Sequence, residues 1–420
     1  MKSYFLAILI AFQYFPASTQ VQEITLDSCL HWFRSHYPIF AQLQLQKQTE
    51  ALQLSSVSKS WFPQLNIIGQ ATYQSDVTAI EIDIPNILLP DPLSKDQYKF
   101  YADLQQLIFD GFSISRQKNA LRWQSQMEYV KNDIELYKAE GRVLVLFFSA
   151  LILNEQQKIN SYLISDLDEQ ILKLQAAVDA GVLLESALQS LLAEKLSTQQ
   201  RTDEIVYKLK HIRQSLSLMT GRTIGDKDQL LLPELPILKN QVNRKELLWS
   251  DMYSNHAEAQ WKLKQSQGIP KILLFGQAGY SNPALNFLKK GFDSYYIAGL
   301  RLSWNLSPMY SFRNDKELFR LGKSMAALQK DLFHINNQQV INEQLLEIER
   351  LQKLMESDAL ILKYRTNIKE ITRSQLDEGT ITSADYIREL NAEEKAKVNA
   401  ILHKIQNIQA HFTLNYYYGQ

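Results

Sequence analysis

The 420-residue sequence predicts an α+β protein in which long α-helical hairpins alternate with four β-strands. Two long regions rich in Leu, Ala, Gln, Glu and Lys contain no proline, one between Pro92 and Pro233 and one after Pro308. Proline breaks helix interiors, so its absence permits long helices. The segments before each region alternate apolar and polar residues with the period of a β-strand, as in FPQLNIIGQATY from Phe62 and its echo IPKILLFGQAGY from Ile269.

The N-terminus predicts a secretory signal peptide over residues 1–20. Lys2 precedes an apolar run from Tyr4 to Phe15, and small residues follow the run. We therefore expect the protein to leave the cytoplasm. Cys29 is the single cysteine, so an internal disulfide is excluded, and we predict that this residue is buried in the first helix.

Beyond the signal peptide, the chain divides into two structural repeats, residues 21–221 and 242–420, joined by a linker over 222–241. Each repeat contains a short helix, two strands, a long helix, a glycine turn and a returning helix. A period of about 200 residues indicates internal duplication rather than a short-repeat solenoid.

The four strands are predicted at 64–74, 98–109, 271–281 and 294–304. Each has the length of about 10 residues and the alternation that a bilayer-spanning strand needs. Aromatic residues lie at strand ends on the apolar side, as at a membrane interface: Tyr73, Tyr280, Tyr296 and Trp304. A soluble four-stranded sheet is the alternative, but the polar faces lack the hydrophobic residues that would cover a core.

Four strands are too few to close a barrel alone. The smallest known membrane barrels have about eight strands, and an open edge in hydrocarbon leaves backbone groups unpaired. The pattern therefore predicts a barrel shared among chains. A homotrimer would combine twelve strands with a hollow coiled-coil cylinder of helices.

The first arms of the two helical hairpins are predicted at 112–180 and 310–378. At 1.5 Å per residue each arm is about 100 Å long. Gly181 and Gly379 are predicted to end these arms, because glycine allows the positive φ of a helix C-terminus. Ser186 in the first hairpin, and Thr382 or Ser383 in the second, are the predicted caps of the returning helices.

Composition and motifs argue against two function classes. The 45 basic and 45 acidic residues balance, whereas nucleic-acid partners usually demand a basic excess. The seven histidines have no metal-ligand spacing, and the chain contains no phosphate-binding loop or nucleophile elbow. We expect no enzymatic activity, no cofactor and no metal site.

Several segments, in order, resemble the TolC-like outer membrane factor (outer membrane efflux protein) family. They are ITLDSCLHWFRSHYPIFAQLQLQ from Ile24, SWFPQLNIIGQATY from Ser60, LIFDGFSISR from Leu107 and LDEGTITSADYIRELNAEEKAK from Leu376. The resemblance implies a trimeric channel-tunnel in the Gram-negative outer membrane whose helices lie in the periplasm. Its implied partners are outer membrane lipid, a periplasmic adaptor (membrane fusion protein) and an inner-membrane transporter.

The implied function is passive conduction in a tripartite efflux pump or a type I secretion system. The sequence does not identify the cargo, since the resemblance is compatible with drugs, metal ions or proteins. A periplasmic or surface coiled-coil scaffold without channel activity is the alternative. It predicts soluble monomers or dimers in place of a detergent-requiring trimer.

The resemblance also implies sites at the hairpin tips. Asp385 matches a family aspartate that faces the pore constriction, where a trimeric ring of carboxylates would favour cations. Its alternative role is that of a solvated first-turn residue that complements the helix dipole. Arg388 departs from the family's best-known member, which has a second aspartate there. A ring of arginines would weaken cation binding, or Arg388 could pair with Asp385 at i, i+3 and help to hold the mouth shut.

Two short segments at the tips are candidate adaptor contacts, or equally turns without a partner. They comprise Gly181, Val182 and Leu183 in the first hairpin, and Gly379, Thr380 and Ile381 in the second.

Overall fold

A computed structural model describes residues 22–78, 92–238, 241–286, 288–289 and 291–419. The helices are α1 (Leu26–His36), α2 (Ile39–Ser58), α3 (Ser113–Asp179), α4 (Glu185–Thr220), α5 (Lys245–Ser266), α6 (Pro308–Asp377) and α7 (Ser383–Tyr418). The strands are β1 (Glu23–Ile24), β2 (Gln64–Tyr73), β3 (Asp96–Phe109), β4 (Gln229–Leu230), β5 (Lys271–Asn282) and β6 (Asp293–Ser303). The predicted signal peptide lies outside the described residues.

Two very long helices dominate the molecule. α3 has 67 residues and α6 has 70, and each is followed by a returning helix of 36 residues. By the helix rise each long arm extends about 100 Å. Their bounds agree with the predicted arms. Among the described residues, no helix combines the length and the apolarity that crossing a membrane requires.

The four long strands form one antiparallel sheet in the order β2-β3-β5-β6. Every predicted strand is present, with ends that differ by one or two residues. Of the four aromatic residues predicted at strand ends, Trp304 alone lies outside its strand, because β6 ends at Ser303. The pairing of β3 with β5 joins the two halves of the chain into a single sheet.

The helices nearest the sheet follow the same order as the strands. α2 packs on α3, α3 on α5, and α5 on α6. This order follows from connectivity, because α2 leads into β2, β3 into α3, α5 into β5, and β6 into α6. The sheet and this helical layer therefore have the same two edges. β2 and α2 form one edge, and β6 and α6 form the other.

The main hydrophobic core lies away from the sheet, where α1 packs against α3 and α4, and α7 packs against the same two helices. Its largest fully buried members are Phe33, Phe147, Phe148, Ile24 and Leu216. Cys29 is completely buried in this core, as predicted, and burial raises the pKa of its thiol to about 12. The cysteine is thus an inert packing residue.

The segment predicted as a linker or equatorial segment, residues 222–241, is partly held in place. β4 lies inside it and pairs in parallel with β1, which directly precedes α1. The buried Arg213 of α4 donates hydrogen bonds to the carbonyl oxygens of Gly225 and Asp228 in this segment. Burial lowers the pKa of Arg213, although the charges of Asp226 and Asp228 act in the opposite direction. A two-residue bridge has no periodicity, so sequence patterns could not reveal it.

The two hairpin turns are capped differently. Thr382 is the N-cap of α7 and forms a capping box with Asp385. Of the two predicted caps, Thr382 and Ser383, the first is therefore correct. The predicted cap at Ser186 is wrong. Leu184 takes the extended N-cap conformation of α4 and makes no side-chain cap, so Ser186 already lies inside the helix.

Candidate functional site

One face of the four-stranded sheet is almost entirely apolar. Register places side chains from all four strands on this face: Leu65, Ile67, Gly69, Ala71, Phe100, Ala102, Leu104, Leu274, Gly276, Ala278, Ala298, Leu300 and Leu302. The large residues among them are exposed, with 69% of Ile67 and 71% of Leu300 accessible. Such a broad apolar surface requires a nonaqueous environment or a partner.

The opposite face carries most of the polar side chains of the sheet, although Leu273, Phe275 and Ile297 also lie on it. Asp103 lies near its centre, where its carboxylate accepts hydrogen bonds from Gln277 Nε2 at 2.9 Å and from Gln105 Nε2 at 2.6 Å. The guanidinium of Arg301 lies 4.7 Å from the centre of the Phe275 ring. Asn66, Gln70, Thr72 and Lys99 share this face by register. The sheet therefore separates an apolar side from a water-compatible side.

The two outer strands have open edges. Within the described residues β2 pairs only with β3, and β6 pairs only with β5. One row of N–H and C=O groups on each outer strand therefore lacks a backbone partner in the described part of the chain. Where water is absent, each such group costs several kcal/mol, so open edges are incompatible with an isolated sheet in hydrocarbon.

The four predicted interface aromatics divide between the two ends of the sheet. Tyr73, Tyr280 and Tyr296 lie toward the loop-bearing end, where Tyr280 stacks on Phe292 with ring centres 5.5 Å apart. Trp304 lies at the helical end, and its Nε1 donates to the carbonyl of Gly268 at 3.0 Å. All four side chains are exposed.

Further exposed aromatics at the same ends were missed by sequence reasoning. They are Tyr98 and Phe100 toward the loops, and Trp61 and Phe62 at the helical end. The alternation that reveals the apolar face could have identified Tyr98 and Phe100, because both are on that face.

The two hairpin tips share one turn geometry. Gly181 has φ +73° and Gly379 has φ +71°. In each tip the glycine and the following residue, Val182 or Thr380, donate backbone hydrogen bonds to the last turn of the arm, which is the Schellman pattern. A Cβ at either glycine would meet no atom within 4 Å, so conformation rather than space requires glycine there.

The candidate contact residues at the tips differ in exposure. Val182 is 75% exposed, and Thr380 is also exposed. Leu183 and Ile381 are half-buried against the core between the tips, which contains Leu174, Leu188, Leu376 and Tyr386. Only the exposed residues are therefore free to contact another molecule without repacking, while Leu183 and Ile381 help to hold the tips together.

We expect Gly379→Ala to destabilise its turn by about 1–2 kcal/mol, because alanine pays the steric cost of the left-handed conformation. Gly322, in the interior of α6 about four turns from its start, is the matched control. It has helical φ and open space around a Cβ, so Gly322→Ala should stabilise the protein by about 0.5–1 kcal/mol. Denaturant midpoints of the two purified variants measure both effects. Equal shifts of the same sign would contradict the requirement for positive φ.

Asp385 and Arg388 are brought together in the first turn of α7. The Asp385 carboxylate accepts from Thr382 Oγ1 at 2.6 Å and from the Thr382 backbone N at 3.3 Å. Arg388 Nη2 lies 3.3 Å from Asp385 Oδ1. The hydrogen bonds from Thr382, and secondarily the charge of Arg388, lower the pKa of Asp385. Asp385 is therefore a capping residue that is ionised at neutral pH.

A buried lysine beside the tips was missed by sequence reasoning. Lys369 Nζ lies 3.3 Å from Asp166 of α3, 3.1 Å from Glu370 and 3.5 Å from the buried Glu393 of α7. Burial opposes its charge, but the hydrogen bond to Glu370 and the neighbouring carboxylates outweigh it and raise the pKa of Lys369. This lysine therefore ties three helices together.

A second set of polar contacts also links α3 with α6. Arg373 pairs with Glu169, and Lys173 Nζ lies 3.2 Å from Asp377 Oδ2. The fully buried Gln170 lies between these pairs and can bridge Arg373 and Asp377. These contacts join the first hairpin to the second in the last turns of α3 and α6 before the tips.

The described part of the chain contains no group of three or more His, Cys, Asp or Glu residues arranged to hold a metal ion. His403 Nδ1 lies 2.6 Å from Asp358 Oδ2 between α7 and α6, but this is a single pair.

Known structures of outer membrane proteins are similar to this chain over nearly its full length. The outer membrane protein VceC of Vibrio cholerae matches with a TM-score of 0.70 at 12% identity, covering 94% of this chain and 96% of VceC. The CmeC outer membrane channel of Campylobacter jejuni matches with 0.70 at 15%, covering 94% and 86%. The open-state MtrE outer membrane channel of Neisseria gonorrhoeae matches with 0.68 at 12%, covering 94% and 88%.

No protein-family model and no curated protein matches the sequence. At these identities the structural matches establish the fold. The predicted combination of long helical hairpins with four antiparallel strands is confirmed.

Proposed function

We propose that this chain is one subunit of a trimeric outer membrane channel-tunnel. In this role it passively conducts substrates that an inner-membrane transporter exports through a periplasmic adaptor, in a tripartite efflux pump or a type I secretion system. One observation carries the proposal: a four-stranded sheet with an apolar face, a polar face and two open edges continues into helices about 100 Å long. The shared fold with channels such as CmeC and MtrE supports it.

The sheet is built for closure with further copies. β6 of one copy can pair with β2 of the next, and three copies give a closed barrel of twelve strands. Closure satisfies the unpaired backbone groups, exposes the apolar face to lipid and encloses the polar face around water. The helices then extend the same ring into the periplasm. The repeated order of strands and helices also supports two structural repeats at 21–221 and 242–420, with 222–241 between them.

Membrane fractionation with a measurement of oligomeric mass tests the proposal. We expect the protein in the outer membrane fraction, extractable only with detergent, with the mass of three chains. Reconstitution of the extracted protein should give stable conducting pores in planar bilayers. A soluble monomer or dimer would instead favour the coiled-coil scaffold without channel activity.

We further propose that three Asp385 side chains form a charged ring at the periplasmic mouth of the channel. The ionised state and partial exposure of Asp385 support this assignment. Arg388 lies beside each carboxylate, so it offsets part of the negative charge and favours a ring that attracts cations weakly. Both residues belong to the pore constriction in this proposal.

Asp385→Asn removes the charge while it keeps an oxygen that can accept the capping hydrogen bonds. We expect a weaker block of the channel by divalent cations, because the carboxylate ring is lost. Glu185→Gln is the matched control, since Glu185 occupies the first turn of α4 at the other tip. Single-channel recordings with added divalent cations measure the block. An unchanged block in Asp385→Asn would refute the gating role.

The exposed parts of the tips are our proposed contact for the periplasmic adaptor. Val182 and Thr380 are the positions to test, because both side chains are exposed at the ends of the arms. We expect cysteines at these positions to cross-link to a co-expressed adaptor. Leu218→Cys provides the control, since this residue is 81% exposed but lies at the far end of α4. Cross-links from the control alone would place the adaptor elsewhere.

A further inference from the structure

The water-compatible face of the sheet contains a cross-strand row with two tyrosines. Register places Tyr101 of β3 opposite Gly279 of β5, and Gly279 opposite Tyr295 of β6. Ile68 of β2 continues the row on the other side of Tyr101. The two neighbouring rows on this face contain amide and charged side chains: Asn66, Asp103 and Gln277 toward the helices, and Gln70, Lys99 and Asp293 toward the loops. The aromatic row therefore lies between two polar rows.

Tyr101 and Tyr295 form the walls of a slot whose floor is Gly279, and we call it the tyrosine slot. Neighbouring strands lie about 4.8 Å apart, so the two tyrosines, which are two strands apart, are separated by about 10 Å. A flat ring that contacts both walls at 3.5–4 Å needs about 7–8 Å, whereas two stacked rings need about 10.5–12 Å. The slot therefore has the width for one aromatic ring.

Gly279 keeps side-chain atoms out of the tyrosine slot. A Cβ at this position would clash with Tyr101 Cβ and would lie 2.7 Å from Tyr101 Cα, so β3 would have to move. The glycine at position 69 of β2 is different, because a Cβ there would meet its nearest neighbour at an ordinary 3.7 Å. The close approach of β3 to β5 therefore requires glycine in the floor of the slot.

The two tyrosines have little to do within the described part of the chain. Both are half-buried, and the aromatic pairs described in the sheet involve other residues. The side-chain hydrogen bonds described beside the row join amides to Asp103 and leave out the tyrosine hydroxyls. Tyr137 in the helical region shows the usual packing role, since its ring stacks on Tyr416 with centres 4.4 Å apart. The rings of Tyr101 and Tyr295 are thus available to another molecule.

Asp103 holds a negative charge beside the slot. It lies two residues along β3 from Tyr101, and both donors to its carboxylate, Gln105 and Gln277, are neutral amides. Lys99 lies at the same spacing on the other side of Tyr101, but it is exposed. Its ammonium group ends a flexible stem in water, where its charge is screened. The charge fixed nearest to the slot is therefore negative.

We propose that the tyrosine slot binds planar aromatic cations during their passage through the channel. The slot rests on the proposed function and gives that function a substrate class. Tyrosine rings attract flat aromatic molecules by stacking and cations by their negative faces. Asp103 adds attraction for a cation and repulsion for an anion. Each slot contacts a single ring, so the binding is weak enough for the substrate to leave, as conduction requires.

Block of the single-channel current in planar bilayers measures this binding in the full-length protein. The probe is 9-aminoacridine, a planar aromatic cation, and tetraethylammonium is a cation without an aromatic ring. Tyr295→Leu should raise the half-blocking concentration of 9-aminoacridine about three- to tenfold, because one wall of the slot is lost. Tyr295→Phe should retain the block, because the ring remains. Tetraethylammonium should block both variants as it blocks the unmodified protein.

Tyr296→Leu is the matched control. Tyr296 is the next residue of β6, but it lies on the apolar face and is 82% exposed. The same substitution on the opposite face should leave the block by 9-aminoacridine unchanged. Tyr101→Leu is a second test of the slot and should weaken this block as Tyr295→Leu does. Anthracene-9-carboxylate, a three-ring anion of similar shape, should block the unmodified channel more weakly than 9-aminoacridine.

The outcomes separate the slot from the proposed function. If Tyr101→Leu and Tyr295→Leu form pores that 9-aminoacridine blocks as before, the slot is refuted and the channel remains. Equal weakening of the block by 9-aminoacridine and by tetraethylammonium would also refute it, because the substitutions would then act on the pore as a whole. Equal block by the three-ring anion would overturn the preference for cations. An unmodified protein that forms no pores would refute the channel and the slot together.

Discussion

Replacing Ile67 with arginine is expected to prevent stable insertion of the protein into the outer membrane. Ile67 lies near the middle of β2 on the apolar face, where it pairs with Ala102 and is 69% exposed. An arginine that faces lipid at the bilayer midplane costs about 2–4 kcal/mol. A trimer would carry three such residues, so the total penalty is roughly three times larger. Outer membrane fractionation and the yield of detergent-extracted trimer measure the loss.

The next residue along the strand is the control. Ile68 pairs with Tyr101 on the opposite face. An arginine there would face the water-filled interior of the proposed barrel. Ile68→Arg should therefore give nearly normal amounts of membrane-inserted trimer. Equal yields from the two variants would mean that the two faces of the sheet do not separate lipid from water.

The second large effect is expected from Arg244→Met, which should lower the free energy of unfolding by about 3–5 kcal/mol. Arg244 lies just before α5, is only 6% exposed and pairs with Glu246. It also donates to the carbonyl of Tyr416 at 3.2 Å and stacks on the rings of Tyr137 and Tyr416. Methionine keeps the packing volume but leaves Glu246 without its partner. Denaturant unfolding at fixed protein concentration measures the change.

Two further variants separate the contributions of Arg244. Arg222 stacks on Trp32 at 4.9 Å in an exposed position, so Arg222→Met should cost less than about 1 kcal/mol. The double variant Arg244→Met with Glu246→Met should recover part of the stability, because it no longer leaves an unpaired charge in a mostly buried site. A double variant less stable than Arg244→Met would contradict this explanation.

The buried charges show where reasoning from the sequence stops. Lys369 and Arg244 look like ordinary solvated residues, because one charged side chain in a polar helical region has no distinguishing pattern. Their roles depend on partners far away in the chain: Asp166 for Lys369, and Tyr137 and Tyr416 for Arg244. Only the packing of helices distant in sequence brings these groups together.

The cap at Ser186 failed for a different reason, which is local to the turn. A serine near a glycine turn satisfies the residue preference of an N-cap, but the length of the turn decides which residue takes the extended conformation. In the first tip that residue is Leu184, whereas in the second it is Thr382. The same type of turn therefore gives a capping box in only one hairpin.

Local properties of the chain were sufficient for the strands, the long helices and the two glycine turns. Period-two alternation, the absence of proline and a glycine at the end of a helix are local features, so they can be read from the sequence. The strand order β2-β3-β5-β6, the open edges of β2 and β6 and the fastening of the tips by Lys369 were decided by the tertiary structure. They depend on contacts between residues up to hundreds of positions apart, and on which surfaces remain uncovered once those contacts are made.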